Sequence, residues 1–210
     1  MPVTSLDPRV IDGPVRLGAL VRRATLDAAR FGRHWAGAHA PLVAGSADFR
    51  TFTRHYTQDH IEETVVAARI AVDGFSSTLQ APRADPSVGF FESADYPRVR
   101  ADEAEFLDLD ATVMCVYSVE AARGSRGPYK LTVFAPPSPS NETVRSLGRR
   151  VLAPVAGTAR TLRGQAAPPH SDFVVQEWFG DQESCRSAAA RWSGMDGVVG
   201  VWLVREHSVF

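Results

Sequence analysis

Alternation of apolar and polar positions predicts strands at the start and the end of each half of the chain. VRLGALVRR (15–23) and YKLTVFAPP (129–137) alternate in this way, as expected where successive side chains point to opposite faces of a sheet. Runs rich in β-branched residues close the two halves, at ATVMCVYSVE (111–120) and GVVGVWLVRE (197–206). Further extended segments are predicted at 49–60, 72–81, 158–165 and 171–180.

Helical patterns fall between these strands. Between the last two strands of each half lie SADYPRVRADEAEFLDL (93–109) and DQESCRSAAARW (181–192), the second with Asp181 placed as an N-cap. FGRHWAGAHAPLVAG (31–45) repeats its apolar residues at helical spacing along a stripe that would face a sheet. This last segment also holds two of the six histidines of the chain, so its conformation determines where these two imidazoles lie.

The sequence repeats part of itself. LGRRVLAPVAG (147–157) echoes the helical segment at 31–45, and both follow a predicted strand. The order β-α-β-β-α-β then occurs twice, and this order is the ferredoxin-like unit. We therefore predict an α+β fold with one repeat at 1–121 and a second at 129–210, joined by a Gly- and Arg-rich linker at 122–128.

Each of the two predicted sheets needs a second layer over one of its faces. An antiparallel sheet with both helices on one side leaves its other side apolar and uncovered. We expect the two sheets to cover each other, so that they pack face to face as an intrachain α+β barrel. This arrangement predicts an enclosed pocket between two unequal halves.

Composition limits the classes of partner. The 210 residues are 44% hydrophobic and 22% charged, with a formal net charge of −1, which is typical of a globular protein and gives no excess of positive charge for nucleic acid. No apolar run reaches the length of a membrane span, and the N-terminus has no secretory pattern. Cys115 and Cys185 are isolated in sequence, so we expect buried thiols in the reducing cytoplasm.

The first-helix motif Phe-x-Arg-His-Trp-x-x-x-His-Ala-Pro-Leu-Val, followed by Tyr-x-Gln-x-His, resembles the EthD domains of the dimeric α+β barrel superfamily. The matching residues are Phe31, His34, Trp35, His39, Ala40, Pro41, Leu42, Val43, Tyr56, Gln58 and His60. VDGF (72–75) and WFGDQESCRSA (178–188) resemble that family's third strand and a strand-to-helix junction. The resemblance implies cofactor-independent chemistry or an accessory role. Superfamily relatives include cyclases, decarboxylases, oxygenases and lactone isomerases acting on aromatic or polyketide-like compounds.

The second predicted repeat departs from this motif. In the echo, Arg150 and Val151 stand where the first repeat has His34 and Trp35, and no residue answers to His39. If the motif carries chemistry, we expect that chemistry once per chain, in the first half.

The histidines of the first helix are candidates for proton transfer. His39 falls at the edge of the apolar stripe, just before a proline that should end or bend the helix, and His34 lies on a neighbouring face. A partly buried imidazole can take up and release a proton near neutral pH. The alternative for each is a structural histidine that bonds a backbone carbonyl. We expect Trp35 to contribute apolar wall to the site.

The predicted strand after this helix offers further candidates. Alternation places Phe52, Arg54, Tyr56, Gln58 and His60 on one face, and such a mixture suits a pocket wall. Tyr56 is expected to donate to a substrate oxygen as an oxyanion partner. His60 is expected either to act as a base or to mark an exposed strand end.

The other candidate residues are placed by their type and position. Phe52 would add apolar wall, and Gln58 would direct a polar group at the substrate. Asp73, beside the third strand, is a candidate binding carboxylate with a structural role as its alternative.

Metal and cofactor sites are not predicted. His34 and His39 are five residues apart, about 140° around an α-helix, and His55 and His60 point to opposite faces of a strand. Neither pair has the spacing of helical metal ligands. The chain also lacks a phosphate loop, a nucleophile elbow and a dinucleotide fingerprint, so we expect no cofactor.

These observations favour a cofactor-independent acid–base enzyme of the lyase or cyclase type. It would act by decarboxylation, dehydration or aldol-type cyclisation on a small hydrophobic carbonyl, phenolic or polyketide-like compound. Such reactions need a dry pocket that stabilises an enolate-like charge while a proton moves. One alternative is a cofactor-free monooxygenase of an aromatic substrate, because deprotonating a phenol is its first step. Another is a non-catalytic binding or accessory protein of a catabolic or biosynthetic pathway. Association as a homodimer is left open.

Overall fold

A computed structural model describes residues 13–67, 71–81, 90–136 and 146–210. The strands are β1 Val15–Leu20, β2 Thr53–Val66, β3 Gly74–Gln80, β4 Val113–Gly124, β5 Tyr129–Ala135, β6 Gly148–Pro154, β7 Arg160–Thr161, β8 Phe173–Phe179 and β9 Gly200–Ser208. The α-helices are α1 Ala28–His34, α2 Ala40–Ala44, α3 Ala47–Phe52, α4 Tyr96–Phe106 and α5 Gln182–Ser193. A π-helical turn, Trp35–His39, joins α1 to α2, and a 3₁₀ turn, Phe90–Glu92, precedes α4.

Eight strands close into an antiparallel barrel. Their order is β1-β3-β2-β9-β5-β8-β6-β4, and β4 pairs back with β1. The four strands of the first half are contiguous, as are the four of the second half, and the halves join where β2 pairs with β9 and β4 with β6. The short β7 adds to β4 outside this circle. The predicted α+β class and the barrel are confirmed.

The echo at 147–157 is a strand, so its match with the first helix is wrong. Gly148–Pro154 forms β6 and pairs with β4 and β8. Its side chains alternate, with Arg150 bonded to Gln176 inside the barrel and Arg149 directed outward toward Glu177. A period of two cannot be helical, and the short similarity in letters therefore reflects no shared structure.

The interior of the barrel is packed rather than open. At one end it is apolar, with edge-to-face contacts among the rings of Phe75, Phe134 and Trp202. Eight strands leave an interior just wide enough for side chains. The sequence predicts a pocket between the two halves, but the cavity that His39 and Tyr56 both line lies outside the barrel.

The other end of the interior holds a buried ion cluster. The Nζ atom of Lys130, 1% exposed, donates to the carboxylates of Asp59 and Glu206, each at 2.7 Å. Arg126 contacts Glu206 at 3.0 Å and His55 at 2.7 Å. Burial raises the pKa of Asp59 to about 6, whereas the facing cations outweigh burial and lower the pKa of Glu206. Of these two carboxyls, Asp59 is therefore the first to take up a proton as the pH falls.

The outer faces of the two sheets differ in polarity. The second-half sheet packs apolar residues such as Leu131, Val133 and Val175 against α5. Asp181 caps that helix as predicted, accepting from the backbone N of Ser184 at 2.7 Å. The first-half sheet lies under α1–α4 and carries polar side chains on the covered face. In the part of the chain described above, no helix is both long and apolar enough to cross a membrane.

Candidate functional site

A cavity of about 50 Å³ lies between the outer face of the first-half sheet and the helices that cover it. Period-two alternation along β3 turns Ser76, Thr78 and Gln80 toward it, while Phe75 packs inside the barrel. The residues that line the cavity are Arg16, His39, Val43, Phe49, Thr53, Tyr56, Ser76, Thr78, Gln80, Phe90, Phe91, Val99, Glu103 and Met114. This mixture of apolar walls with a few polar groups is typical of small-molecule sites.

The first helix places its two histidines through a π-helical turn. Asp27 caps α1 by accepting from the backbone N of Arg30 at 2.7 Å. The turn Trp35–His39 then inserts one extra residue per turn, so residues five apart come onto the same side of the helix. The prediction that His34 and His39 point in different directions assumed an unbroken α-helix, and it is wrong.

Asp102 of α4 holds both imidazoles. Its Oδ1 lies 2.8 Å from His34 Nε2, and its Oδ2 lies 2.8 Å from His39 Nδ1. Burial opposes ionisation of Asp102, but the hydrogen bonds from His39 and His34 outweigh it and hold the pKa of the carboxyl below its usual range. Both imidazoles also pack on the ring of Phe106. The pair is therefore fixed by one carboxylate and one aromatic ring.

This arrangement defines which nitrogen of His39 can accept a proton. An ionised carboxylate only accepts hydrogen bonds, so His39 Nδ1 carries a hydrogen and donates it to Asp102. The Nε2 atom is then the basic nitrogen. His39 is buried and lines the cavity, which brings an oriented base to its wall.

Tyr56 provides a hydroxyl in the same cavity. The side-chain amide of Gln58 donates to Tyr56 Oη at 3.1 Å and to the carbonyl of Trp35 at 2.9 Å. Burial raises the pKa of Tyr56 to about 12. The phenol therefore keeps its hydrogen at neutral pH and can donate it to an oxygen in the cavity.

Two further polar groups were not predicted from the sequence. Glu103 follows Asp102 on α4, accepts from Tyr96 Oη at 3.1 Å, and has its pKa raised to about 7 by burial. Arg16 lies on β1 with its guanidinium 4.7 Å from the ring centre of Phe91, and burial lowers its pKa to about 10. Glu103 falls on the buried stripe of α4 with Tyr96, and an acid at a core position is the signal that could have found it.

The remaining predicted residues lie outside the cavity lining. His60 packs against Trp35 with ring centres 4.6 Å apart, and burial together with Arg205 and His207 lowers its pKa to about 4. Trp35 is fully buried between helix and sheet. Asp73 bonds the backbone and side chain of Arg22, each at 2.9 Å.

The predicted strand face that began at Phe52 needs correction. Phe52 ends α3, and β2 begins only at Thr53. The register of β2 against β3 shifts between Thr53 and His55. Alternation from Phe52 through Arg54 to Tyr56 is therefore broken, because a helix end and a bulge intervene.

Among the residues with a described placement, no group of three or more His, Cys, Asp or Glu side chains is arranged to hold a metal ion. In the His34–Asp102–His39 cluster, each imidazole directs a nitrogen at the carboxylate rather than at a shared point in space.

Residues 23–110 match the family model described as EthD domain. Comparison with curated protein sequences finds no significant match. Among solved structures, an "anthrone oxidase-like protein" is 14% identical, with 99% of this chain and 97% of that chain covered and a TM-score of 0.43. A "putative monooxygenase" from Lactobacillus acidophilus NCFM is 8% identical, with 95% of each chain covered and a TM-score of 0.48. The likeness to these two structures concerns the fold alone. The matched segment at residues 23–110, which contains α1–α4 and both histidines bonded to Asp102, is similar to the EthD domain family.

Proposed function

We propose that this protein catalyses cofactor-independent acid–base chemistry on a small, largely apolar carbonyl or phenolic compound. The observation that carries the proposal is the pairing of His39 with Asp102 at the wall of a cavity that Tyr56 also lines. Decarboxylation, dehydration and aldol-type cyclisation all require a proton to move while negative charge develops on an oxygen. The cavity offers one group for each task.

His39 takes the proton in this mechanism. Its Nε2 accepts a proton from an acidic C–H or O–H of the substrate, and the imidazolium that forms is stabilised by the carboxylate of Asp102. His34 shares that carboxylate and so helps to hold it in place. The proton returns from His39 to another atom of the substrate or to the departing group, which regenerates the base.

Tyr56 stabilises the charge that develops. Its hydroxyl donates to the enolate or phenolate oxygen, and Gln58 holds the phenol by donating to its oxygen. The apolar walls, which include Phe49 and Phe90, exclude water and so strengthen this hydrogen bond. The same deprotonation of a phenol would begin a cofactor-free oxygenation, and measurement of oxygen separates the two reactions.

The test uses turnover by matched histidine variants. Substrates are first sought among phenols and cyclic ketones that raise the melting temperature of the protein. We expect His39→Asn to lower kcat by about 10²–10⁴-fold, with affinity for the same compound changed only a few-fold. His60→Asn is the control, because His60 is absent from the cavity lining.

Two further readouts complete this experiment. Asp102→Asn should lower kcat without abolishing binding, since it leaves His39 without its carboxylate partner. Turnover without oxygen consumption supports the lyase or cyclase reaction, whereas stoichiometric consumption supports the monooxygenase. Two results would show that the cavity only binds its ligand and that the proposal is wrong. One is a kcat for His39→Asn equal to that of His60→Asn. The other is a parallel loss of affinity and turnover in every variant.

We also propose the cytoplasm as the site of action. Cys115 and Cys185 are buried free thiols, which supports a reducing compartment.

A further inference from the structure

A second, larger depression adjoins the cavity. It has a volume of about 410 Å³ and shares Arg16, Phe91 and Met114 with the cavity as wall residues. Its remaining walls come from Glu92, from α4, from β4 and from the segment 157–164 around β7. We call it the arginine groove, after the four arginines that line it: Arg16, Arg100, Arg160 and Arg163.

The groove has a strong excess of positive charge. Glu92 is the single acid among its lining residues, against four arginines, so the formal charge of the lining is +3. Arg100 is anchored by a hydrogen bond from its Nη1 to the carbonyl of Leu162 at 2.6 Å. Arg163 already pairs with Asp110 at 2.8 Å. Arg160 is exposed, and Arg16 is buried at the junction with the cavity.

Two glycine turns leave space beside these cations. Gly157 and Gly164 line the groove with φ values of +74° and +84°, a conformation that glycine adopts without strain. Among the described residues, no atom lies within 4 Å of the point where a Cβ would stand at either glycine. The backbone of these two turns therefore leaves space for a ligand in the groove.

Charge, volume and position together indicate the kind of group that the groove binds. A guanidinium matches a carboxylate with two parallel hydrogen bonds, and a volume near 400 Å³ falls in the range of small-molecule sites. Resting on the proposed function, we propose that the substrate is an organic acid. Its carboxylate binds the arginine groove at Arg16 and Arg160, and its acidic hydroxyl or carbon reaches His39 in the adjoining cavity.

A neutral isostere provides the direct test. Binding of para-hydroxybenzoate and of para-hydroxybenzamide, which have the same shape, is measured by calorimetry at low ionic strength. We expect the acid to bind at least about tenfold more tightly than the amide, as one charge-assisted contact predicts. Arg160→Gln should remove most of this preference, and Arg16→Lys should weaken it while conserving the charge. Arg191→Gln on the exposed side of α5 is the control and should leave the preference intact.

Several outcomes would overturn this assignment. They are equal affinity for acid and amide, no binding of the acid, or an unchanged preference in Arg160→Gln. Displacement of para-hydroxybenzoate by an equal concentration of inorganic phosphate would also overturn it, because the groove would then bind anions in general. Binding of either probe requires no catalysis, so His39→Asn should retain the preference. The binding experiment can therefore refute the arginine groove as a carboxylate site while His39 still proves catalytic. Equally, the groove can prove to bind a carboxylate while His39 proves not to be catalytic.

Discussion

Glu103 offers a sharp test of the electrostatics of the cavity, because it is an acid buried at the helix–sheet interface. Its side chain accepts from Tyr96 Oη at 3.1 Å, and the residue is 8% exposed. Burial raises its pKa from 4.5 to about 7, since the nearby Arg100 only partly offsets the loss of hydration. Glu103→Gln keeps the size of the side chain and an oxygen acceptor for Tyr96, but it removes the ionisation.

The expected effect follows from proton linkage. Between pH 4.5 and 7 the folded protein retains a proton on Glu103 that the unfolded chain has lost, so the free energy of unfolding falls as the pH rises through this window. A shift from 4.5 to about 7 corresponds to about 3 kcal/mol in total, of which about 2–3 kcal/mol is lost between pH 5 and pH 8. The glutamine variant does not lose this part of its stability.

The assay is urea unfolding of wild type and Glu103→Gln at pH 5 and pH 8, with the control variant Glu105→Gln. Glu105 lies on the same helix and is exposed. We expect the stability gap in favour of Glu103→Gln to widen by about 2–3 kcal/mol from pH 5 to pH 8, and the gap for the control to stay constant. A pH-independent gap for Glu103→Gln would refute the argument that burial perturbs this acid.

Two other predictions concern packing and the buried ion cluster. In Gly74→Ala the new Cβ would lie 2.6 Å from Cζ3 of the fully buried Trp35, so we expect a loss of about 1–3 kcal/mol in urea unfolding. Gly37→Ala has nothing within 4 Å among the described atoms and should be neutral or stabilising; equal losses in both would contradict the packing argument. Lys130→Met removes the cation that Asp59 and Glu206 share and leaves Asp59 without its ion-pair partner, and we expect a loss of about 3–5 kcal/mol. Arg186→Met, at an exposed ion pair, should cost less than about 1 kcal/mol, and a similar cost for Lys130→Met would contradict the assigned cluster.

Local periodicity accounts for the parts of the fold that the sequence predicted. Alternation located β1, β5 and the strands that close each half, and the cap at Asp181 located α5. The prediction for β6 failed for another reason. A short sequence similarity to the first helix was given more weight than the alternation of Arg149 and Arg150 across the strand. Periodicity describes one element at a time, and similarity over a few residues does not override it.

The contacts within the candidate site could not all be predicted from local sequence patterns. His39 and Tyr56, which the sequence offers as candidates, line the same cavity, and polar groups on an apolar stripe were the signal that pointed to them. The shared contact of His34 and His39 with Asp102 depends on a π-helical turn, and an α-helical wheel excludes it. Asp102 lies more than sixty residues from both histidines in the chain, and only the packing of α4 against the first helix brings them together.

Placement of the cavity was the largest error, and its cause is geometric. Closure of eight strands into a barrel fills the interior with side chains from both halves, including Phe75 and Trp202. The polar residues of β1, β2 and β3 that remain face outward, under the helices. Which face of a sheet holds the site depends on how the barrel closes, and that is a property of all eight strands together.

An NMR titration tests most directly whether the acid–base site lies outside the barrel. Side-chain resonances of His39, Tyr56, Asp59 and Lys130 are followed as para-hydroxybenzoate is added to the full chain. The account predicts that the imidazole of His39 and the ring of Tyr56 shift with one common dissociation constant, while Asp59 and Lys130 stay unchanged. Shifts concentrated at Asp59 and Lys130, with His39 and Tyr56 unmoved, would place the ligand inside the barrel and contradict the account.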